Sequence, residues 1–287
     1  MKEAATKESN DRLLFGVGTI DSFTKGLKKG ELVVLGSRPV IDCSLFAWNL
    51  IDRVLKQNKK VLYVSLSDFK KKIIEHHPEE AGRNLIICDE YVWIDDISRN
   101  AGSISDLDLV VIDYVEAAWN SIYHIKNNIY HQLKHMAKNI GVLVLALSRL
   151  NRKLNEELSG RTSVENICRG LLKEGKEDID YMFLFYPPLL KKYIEDYNYA
   201  CDEGETELEA RLISFKTGKE KTEYLVYNKN TYEFREYSKK IRRLLNVAKL
   251  MGLSTEDAIE YAFYWENREC PEDKKHERTI DYGHSWI

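Results

Sequence analysis

Cysteine is scarce and scattered. Five residues, Cys43, Cys88, Cys168, Cys201 and Cys270, include no Cys-x-x-Cys pair. An odd number at such spacing builds neither the disulfide framework of a small secreted protein nor a zinc knuckle, so reduced, structural thiols are expected. Proline (5) and glycine (15) are too few for a collagen-like or low-complexity chain. No apolar run approaches the roughly 18 residues that a membrane span needs. Residues 1–10 are charged and polar, without the apolar centre of a signal peptide, and a cytoplasmic location is expected. An excess of one charge is missing as well, since 43 Lys and Arg stand against 46 Asp and Glu for a net −3. A strongly basic nucleic-acid-binding composition is thereby excluded, while a local basic face is not.

What is present is apolar material for one sizeable core: 287 residues, 44% of them hydrophobic. Residues 31–36 (ELVVLG), 61–66 (VLYVSL), 85–88 (LIIC), 109–112 (LVVI) and 142–147 (VLVLAL) are short and rich in Val, Ile and Leu. They lack polar alternation, as do strands of a parallel sheet covered on both faces. Between them run helical stretches, 44–56 and 126–139 among them. In the second, Ile129, Leu133, Met136 and Ile140 recur at three or four residues and form one apolar face. Strand and helix in alternation predict an open α/β sheet flanked by helices. Two more strands are expected at 181–186 and 210–215. A hairpin follows, with 223–227 and 231–235 flanking Asn228-Lys229-Asn230. From Ser238 the pattern changes to a basic amphipathic helix that stops near Gly252, and a further helix is expected over 258–267. The organisation read from the sequence is a polar tail at 1–12, one α/β domain at 13–237 and a helical extension at 238–287.

Ligands of such sheets bind beyond the carboxyl ends of the strands. The first strand ends in Gly36-Ser37-Arg38-Pro39-Val40-Ile41-Asp42-Cys43-Ser44 before a helix. That is where backbone N–H groups and a helix N-terminus face a phosphate. The fourth ends in Val111-Ile112-Asp113-Tyr114, an apolar run closed by a carboxylate able to hold the water shell of Mg²⁺.

Taken together, these segments resemble the RecA-like C-terminal motor domain of the DnaB-type hexameric replicative helicases, a P-loop NTPase. Residues 16–32 (GVGTIDSFTKGLKKGEL) are similar to the family's opening segment, and Ser37-Arg38-Pro39 to the start of its phosphate loop. Val111-Ile112-Asp113-Tyr114 is similar to its magnesium-site strand, and residues 146–152 (ALSRLNR) to its sensor strand. Residues 183–186 and 213–219 fall where its two closing strands do. The resemblance implies a RecA-like fold over about 13–237, a Mg-ATP site, single-stranded DNA or a replicative helicase as partner, and self-association.

The departures from the family pattern are concentrated at the chemistry. Where its phosphate loop reads Gly-Lys-Thr, this chain has Asp42-Cys43-Ser44. The glycine gives close backbone approach and the lysine a cation on the β and γ phosphates. Here the cation is gone and Asp42 faces the polyanion, a repulsion of about 1 kcal/mol at 4 Å in water and about 4 at an effective dielectric near 20. Ser44 alone survives, in the place of the Mg²⁺-binding hydroxyl. The family's catalytic Glu is replaced by Ser67, with Asp68 one residue late, and its sensor Gln by Arg149. Of the Lys and Arg that the family directs at the neighbouring subunit's nucleotide, Lys216 matches the first. Lys219 at best stands in for the second, without the bidentate fork of Arg.

The vestigial nucleotide set is therefore Arg38, Pro39, Asp42, Cys43, Ser44, Asp113, Lys216 and Lys219, with Asp68, Asp113 and Arg149 at the former catalytic positions. In place of the family's DNA-facing loop, residues 154–176 carry Arg161, Arg169, Lys173 and Lys176 among four glutamates. The family's collar domain has no counterpart before Leu13, and the stretch between Asp68 and Leu85 looks too short for its usual helices.

These readings predict a DnaB-like protein of DNA replication or a mobile element that lacks ATP hydrolysis, needs no cofactor and acts by binding. Two alternatives remain at this level: an active ATP-dependent DNA helicase with Mg-ATP on a non-standard loop and a displaced cation such as Arg38 or Lys216, and an interaction scaffold that binds neither nucleotide nor DNA. The histidines give no metal pattern, since His131 and His135 share a helix face without a third ligand at a known spacing.

Overall fold

The apolar runs become the middle of one sheet. In a computed structural model the described residues are 12–37, 43–65, 70–76, 79, 83–90, 93–118, 129–149, 176–186, 205–228, 231 and 233–236. The elements are α1 (Gly18–Thr24), β1 (Leu32–Ser37), α2 (Cys43–Leu55), β2 (Lys60–Ser65), α3 (Lys70–His76), β3 (Leu85–Cys88), α4 (Ile94–Ser103) and β4 (Leu107–Asp113). After them come α5 (Ile129–Ile140), β5 (Leu143–Arg149), β6 (Tyr181–Tyr186), β7 (Glu205–Ser214), β8 (Lys219–Asn228) and β9 (Phe234–Glu236).

The nine strands form one sheet in the order β3-β2-β4-β5-β1-β6-β7-β8-β9. The first six in that order are parallel, and β7, β8 and β9 add to β6 antiparallel. Every residue of β1 and β4 is buried, which is why those runs carry no polar alternation.

Because successive side chains point to opposite faces, the sheet divides its apolar residues between two cores. One packs Val33, Leu35, Tyr63, Val111 and Phe183 against α2 and α1. The other packs Leu32, Val34, Val64, Ile112 and Val144 against α4 and α5. In α2, Phe46 is the hub, with ring centroids 5.1 Å from Phe15, 4.3 Å from Phe185 and 4.6 Å from Phe234. In α5, Leu133 and Met136 are buried while Ile129 and Ile140 pack at the margin, so the expected apolar face is the one that docks.

The structure corrects several expected bounds. Strands β7 and β8 are ten residues each, far longer than 210–215 and 223–227. They are joined by a tight turn in which Gly218 takes φ +66°, a conformation costly for any residue with a Cβ. The hairpin read at Asn228 is present, with Tyr227 opposite Phe234. The stretch between Asp68 and Leu85, expected to be too short for the family's usual helices, holds the short α3. Helix α1 has no counterpart in the sequence reading. It is held by Asp21, whose carboxylate accepts the N–H groups of Phe15 (2.8 Å) and Gly16 (2.9 Å). Gly16 itself lies under the Arg53 guanidinium, where a Cβ would come within 2.4 Å.

By contacts the chain forms two units, residues 1–189 with 200–236, and residues 190–199 with 237–287. All described residues belong to the first. The basic amphipathic helix expected from Ser238 and the helix expected over 258–267 lie outside the described residues.

Candidate functional site

The carboxyl end of the parallel strands holds part of what the sequence singled out: Cys43, Ser44, Asp113 and Arg149. Leu109, Val111 and Asp113 alternate along β4, so Asp113 looks toward α2 from the same face as its two apolar neighbours. It is fully buried. Cys43 and Ser44 open α2 on that side and are also fully buried. Ser44 and Asp113 thus lie at the same end of the sheet, linked through Tyr114, the residue after Asp113, whose hydroxyl accepts from Ser44.

Two tyrosines close over them. Tyr63 in β2, two residues before the Ser65 that pairs with Asp113, is fully buried, and its phenol donates to Asp113 Oδ2. Tyr114, joined to Asp113 by a cis peptide, places its hydroxyl 3.2 Å from Ser44 Oγ, which donates to it. Arg149, the exposed last residue of β5, lays its guanidinium 4.0 Å from the centroid of the Tyr114 ring, a cation–π contact. Arg149 therefore rests its charge on a tyrosine face.

Beneath Arg149 lies a second polar knot. Glu116, in the 3₁₀ turn Val115–Ala117, accepts the Ser148 hydroxyl and, at 3.0 Å, the Arg149 N–H. Burial raises its pKa above the ordinary glutamate value against the pull of Ser148 and Arg149. The Tyr130 phenol is pushed up to about 12, chiefly by burial, with the Glu116 charge adding and Ser148 opposing.

Lys216 and Lys219 sit at the other end of the sheet. Ser214 pairs with Tyr181, the first residue of β6, so the β7–β8 turn lies by the amino ends of β1 and β6. There Lys216 Nζ is 2.5 Å from Glu31 Oε1 and 3.3 Å from Asp180 Oδ1. Burial alone pulls its pKa down, but the hydrogen bond and charge of Glu31, with Asp180, outweigh it and hold the ammonium above the ordinary lysine value. Asp180 in turn accepts Lys134 Nζ at 2.5 Å and the Leu32 N–H at 2.7 Å. Within one chain these lysines do not share the Ser44–Asp113 site, and Lys219 opens β8 as an exposed residue opposite Ser214.

Arg38, Pro39, Asp42, Asp68, Arg161, Arg169 and Lys173 lie outside the described residues, and Lys176 begins the 3₁₀ turn Lys176–Asp178. His131 pairs with Asp178 at 3.1 Å and His135 with Asn139 at 2.9 Å. Among the described residues no three His, Cys, Asp or Glu side chains stand together as a metal set. No helix among the described residues is long and apolar enough to cross a membrane. A polar cavity of about 340 Å³ between α2 and the β8–β9 hairpin is lined by Asn49, Asp52, Arg53 and Arg235 among others, and neither Ser44 nor Asp113 lines it.

Sequence reasoning missed Tyr63 and Glu116. Tyr63 is the only polar tip in the run Val61-Leu62-Tyr63-Val64. A buried phenol needs a partner, which was the available signal.

No family profile matches the chain. It is 21% identical to a probable replicative DNA helicase of Trieres chinensis, over 65% of this chain and 50% of the relative. It is 23% identical to the replicative DNA helicase DnaB of Geobacillus stearothermophilus, over 76% and 55%. For the Helicobacter pylori DnaB the identity is 24%, over 53% and 39%. The chain thus spans about half the length of the first two curated relatives. Among solved structures, an isolated ATPase domain superposes with a TM-score of 0.63 at 18% identity, covering 83% of this chain and 95% of that one. A DnaB-like replicative helicase, described together with its interactions with primase, gives 0.62 at 18%, covering 79% and 63%. The RadB recombinase gives 0.53 at 15%, covering 79% and 100%. The fold is that of a RecA-like ATPase domain, and the resemblance to the DnaB type that the motifs carry is supported by sequence relatives and by structure.

Proposed function

We propose that this DnaB-type RecA-like protein does not hydrolyse ATP and acts by binding, to DNA or to a helicase or other partner protein, in DNA replication or a mobile-element context. The helicase-like fold supports the replication-related part of that reading. The observation that carries the rest is the state of the two surviving Mg²⁺-site residues. Asp113 accepts a hydrogen bond from a buried phenol and Ser44 donates one to another.

Mg²⁺ takes near-ideal octahedral oxygen ligands at about 2.0–2.1 Å and keeps several of its waters. A carboxylate and a hydroxyl already engaged by tyrosines, behind an α2 that opens with buried Cys43 where the family has its phosphate-binding lysine, do not fit a Mg-ATP complex. Asp42, next in the chain, adds a charge of the wrong sign. Lys216 gives no relief within the chain, because Glu31 and Asp180 hold it at the opposite end of the sheet.

The test is calorimetric titration with Mg-ATP together with a phosphate-release assay on the full chain. The expected result is no saturable binding at millimolar nucleotide and no turnover, with binding gained in Asp42→Gly/Cys43→Lys. Turnover at ordinary helicase rates, abolished by Asp113→Ala, would sink the proposal. A mobility shift of labelled single-stranded DNA that weakens with salt separates DNA binding from partner-protein binding.

A further inference from the structure

We propose that the face at the amino ends of the parallel strands binds the phosphate backbone of duplex nucleic acid through Lys28, Lys138 and Lys219. This rests on the reading that the protein binds DNA, and it gives that reading a surface. The chain as a whole carries a net −3, yet at this end of the sheet charge is sorted by depth. Glu31, Asp108 and Asp180 are buried. Each is matched by a lysine: Lys29 stands 2.9 Å from Asp108, Lys216 2.5 Å from Glu31 and Lys134 2.5 Å from Asp180. The inward charges therefore cancel, and further lysines at this face add a positive excess.

Lys28, Lys138 and Lys219 are those lysines. They are exposed, and no carboxylate of the described residues pairs with their ammonium groups. Contacts between three elements bring them to one face. The turn before β1 is closed by the Lys28 N–H, which donates to Glu31 Oε2 at 2.9 Å. Lys134 ties α5 to that turn, its Nζ 2.8 Å from the Gly30 carbonyl oxygen, and Lys138 lies one helical turn further along the same side of α5. Lys216 ties the β7–β8 turn to Glu31, and Lys219 opens β8 opposite Ser214, the partner of Tyr181. Asp106 and Glu177 are exposed acids at the same end. Lys60 stands beside the first, its Nζ 2.9 Å from the Ser105 carbonyl oxygen, and the three lysines outnumber the second.

Separate ammonium groups held on a turn, a helix end and a strand start suit a polymer with repeated phosphates better than a single small anion. The aromatic residues here decide which polymer. Binders of single strands combine a basic groove with rings on which bases stack. Tyr181 is only 8% exposed and lies under Lys216, whose Nζ is 5.7 Å from the ring centroid. Phe215 packs against the core. Neither ring is offered to a base, so backbone charge density decides. A duplex presents one charge per about 1.7 Å of axis, twice the density of one strand. Contacts of this kind position a nucleic acid without reading its sequence.

Fluorescence anisotropy of the full chain with a labelled mixed-sequence duplex, between about 50 and 200 mM salt, tests this. Wild type is expected to bind with an affinity that falls with salt, and to bind the duplex more tightly than its single strand. Lys28→Gln/Lys138→Gln/Lys219→Gln is expected to weaken binding about tenfold or more at low salt and to flatten the log–log salt slope by about 0.9 per lysine. Lys71→Gln/Arg99→Gln, at exposed positions of α3 and α4, is expected to leave the slope unchanged. Tighter binding of the single strand, or a control as flat as the triple variant, overturns the inference. An unchanged slope in the triple variant removes this surface while DNA binding stands, and no binding of either nucleic acid by the wild type removes both. Loss of self-association in the triple variant with DNA affinity kept gives the face to a second copy and likewise overturns it. Should the triple variant misfold, acetylation footprinting of the wild type decides. Protection of the three lysines by duplex supports the inference, and unchanged labelling overturns it.

Discussion

Two buried aspartates, Asp113 and Asp180, mark opposite ends of the sheet and meet different chemistry: a phenol donates to Asp113 Oδ2, whereas two ammonium groups and a backbone N–H surround Asp180. Taking one partner from a buried ion pair leaves uncompensated charge, at a cost of about 3–5 kcal/mol. Asp180→Ala removes the carboxylate shared by Lys134 and the Leu32 N–H, so a loss in that range is expected in urea unfolding. A loss below about 1 kcal/mol would mean that the network is effectively solvated.

Glu116 offers a pH signature. Its folded-state pKa is raised, chiefly by burial. A raised carboxyl contributes stability that is fully present below its unfolded pKa and is lost as pH rises through the folded value. Glu116→Gln should therefore be more destabilising at pH 4 than at pH 7, measured by urea midpoints at both. An equal effect at the two pH values would contradict the assignment. At this scale Asp113 was legible because it ends an apolar run. Tyr63 was not, because in a chain with 17 tyrosines a phenol inside a strand reads as core until its partner on the neighbouring strand is known.

Among the elements, α2 carries the most. Its start supplies Cys43 and Ser44 to the site, and its Phe46 ties the helix to three other segments of chain through Phe15, Phe185 and Phe234. Phe46→Ala is expected to cost about 3–5 kcal/mol and Phe46→Leu much less, since the smaller change leaves a smaller cavity. Chemical denaturation of both variants checks the ordering. In the β7–β8 turn a Cβ on Gly218 meets nothing within 4 Å. Gly218→Ala therefore isolates the left-handed backbone term of about 1–2 kcal/mol, readable from the same experiment.

The parallel strands were legible because burial on both faces leaves continuous apolar runs. The outer halves of β7 and β8 were not. Glu205, Glu207, Glu220 and Lys221 fall outside the strands expected at 210–215 and 223–227, and cross-strand pairing, Glu205 opposite Asn228 and Glu220 opposite Ile213, makes strand of them. Helix α1 was missed for a related reason, since seven residues held by Asp21 have too little periodicity to show.

Across the first unit, one sheet separates two cores that have strands in common. A strand cannot leave one core and stay in the other, so the two faces should melt together. Phe46→Ala on one face and Met136→Ala on the other are expected to lower the midpoint of the same transition. A biphasic curve in either variant would show that the cores are independent. The fold class and the motor-domain resemblance came from the order of motifs along the chain, which topology preserves. The closure of the site depends on a contact between residues 50 positions apart, which no local pattern announces.

The sheet's outer strands have a consequence for how this protein meets others. In the sheet order the flanks are β3, with four residues, and β9, with three. Strands so short present few open N–H and C=O groups, which is how natural sheets avoid being extended by a foreign strand. At these two flanks the backbone offers little template for strand addition, whereas β9 covers β8 only from Leu225 to Tyr227 and no described strand pairs with residues 219–223 on that side. Recognition at β3 and β9 therefore falls to side chains rather than to backbone pairing, and there single substitutions can tune one contact without disturbing the fold.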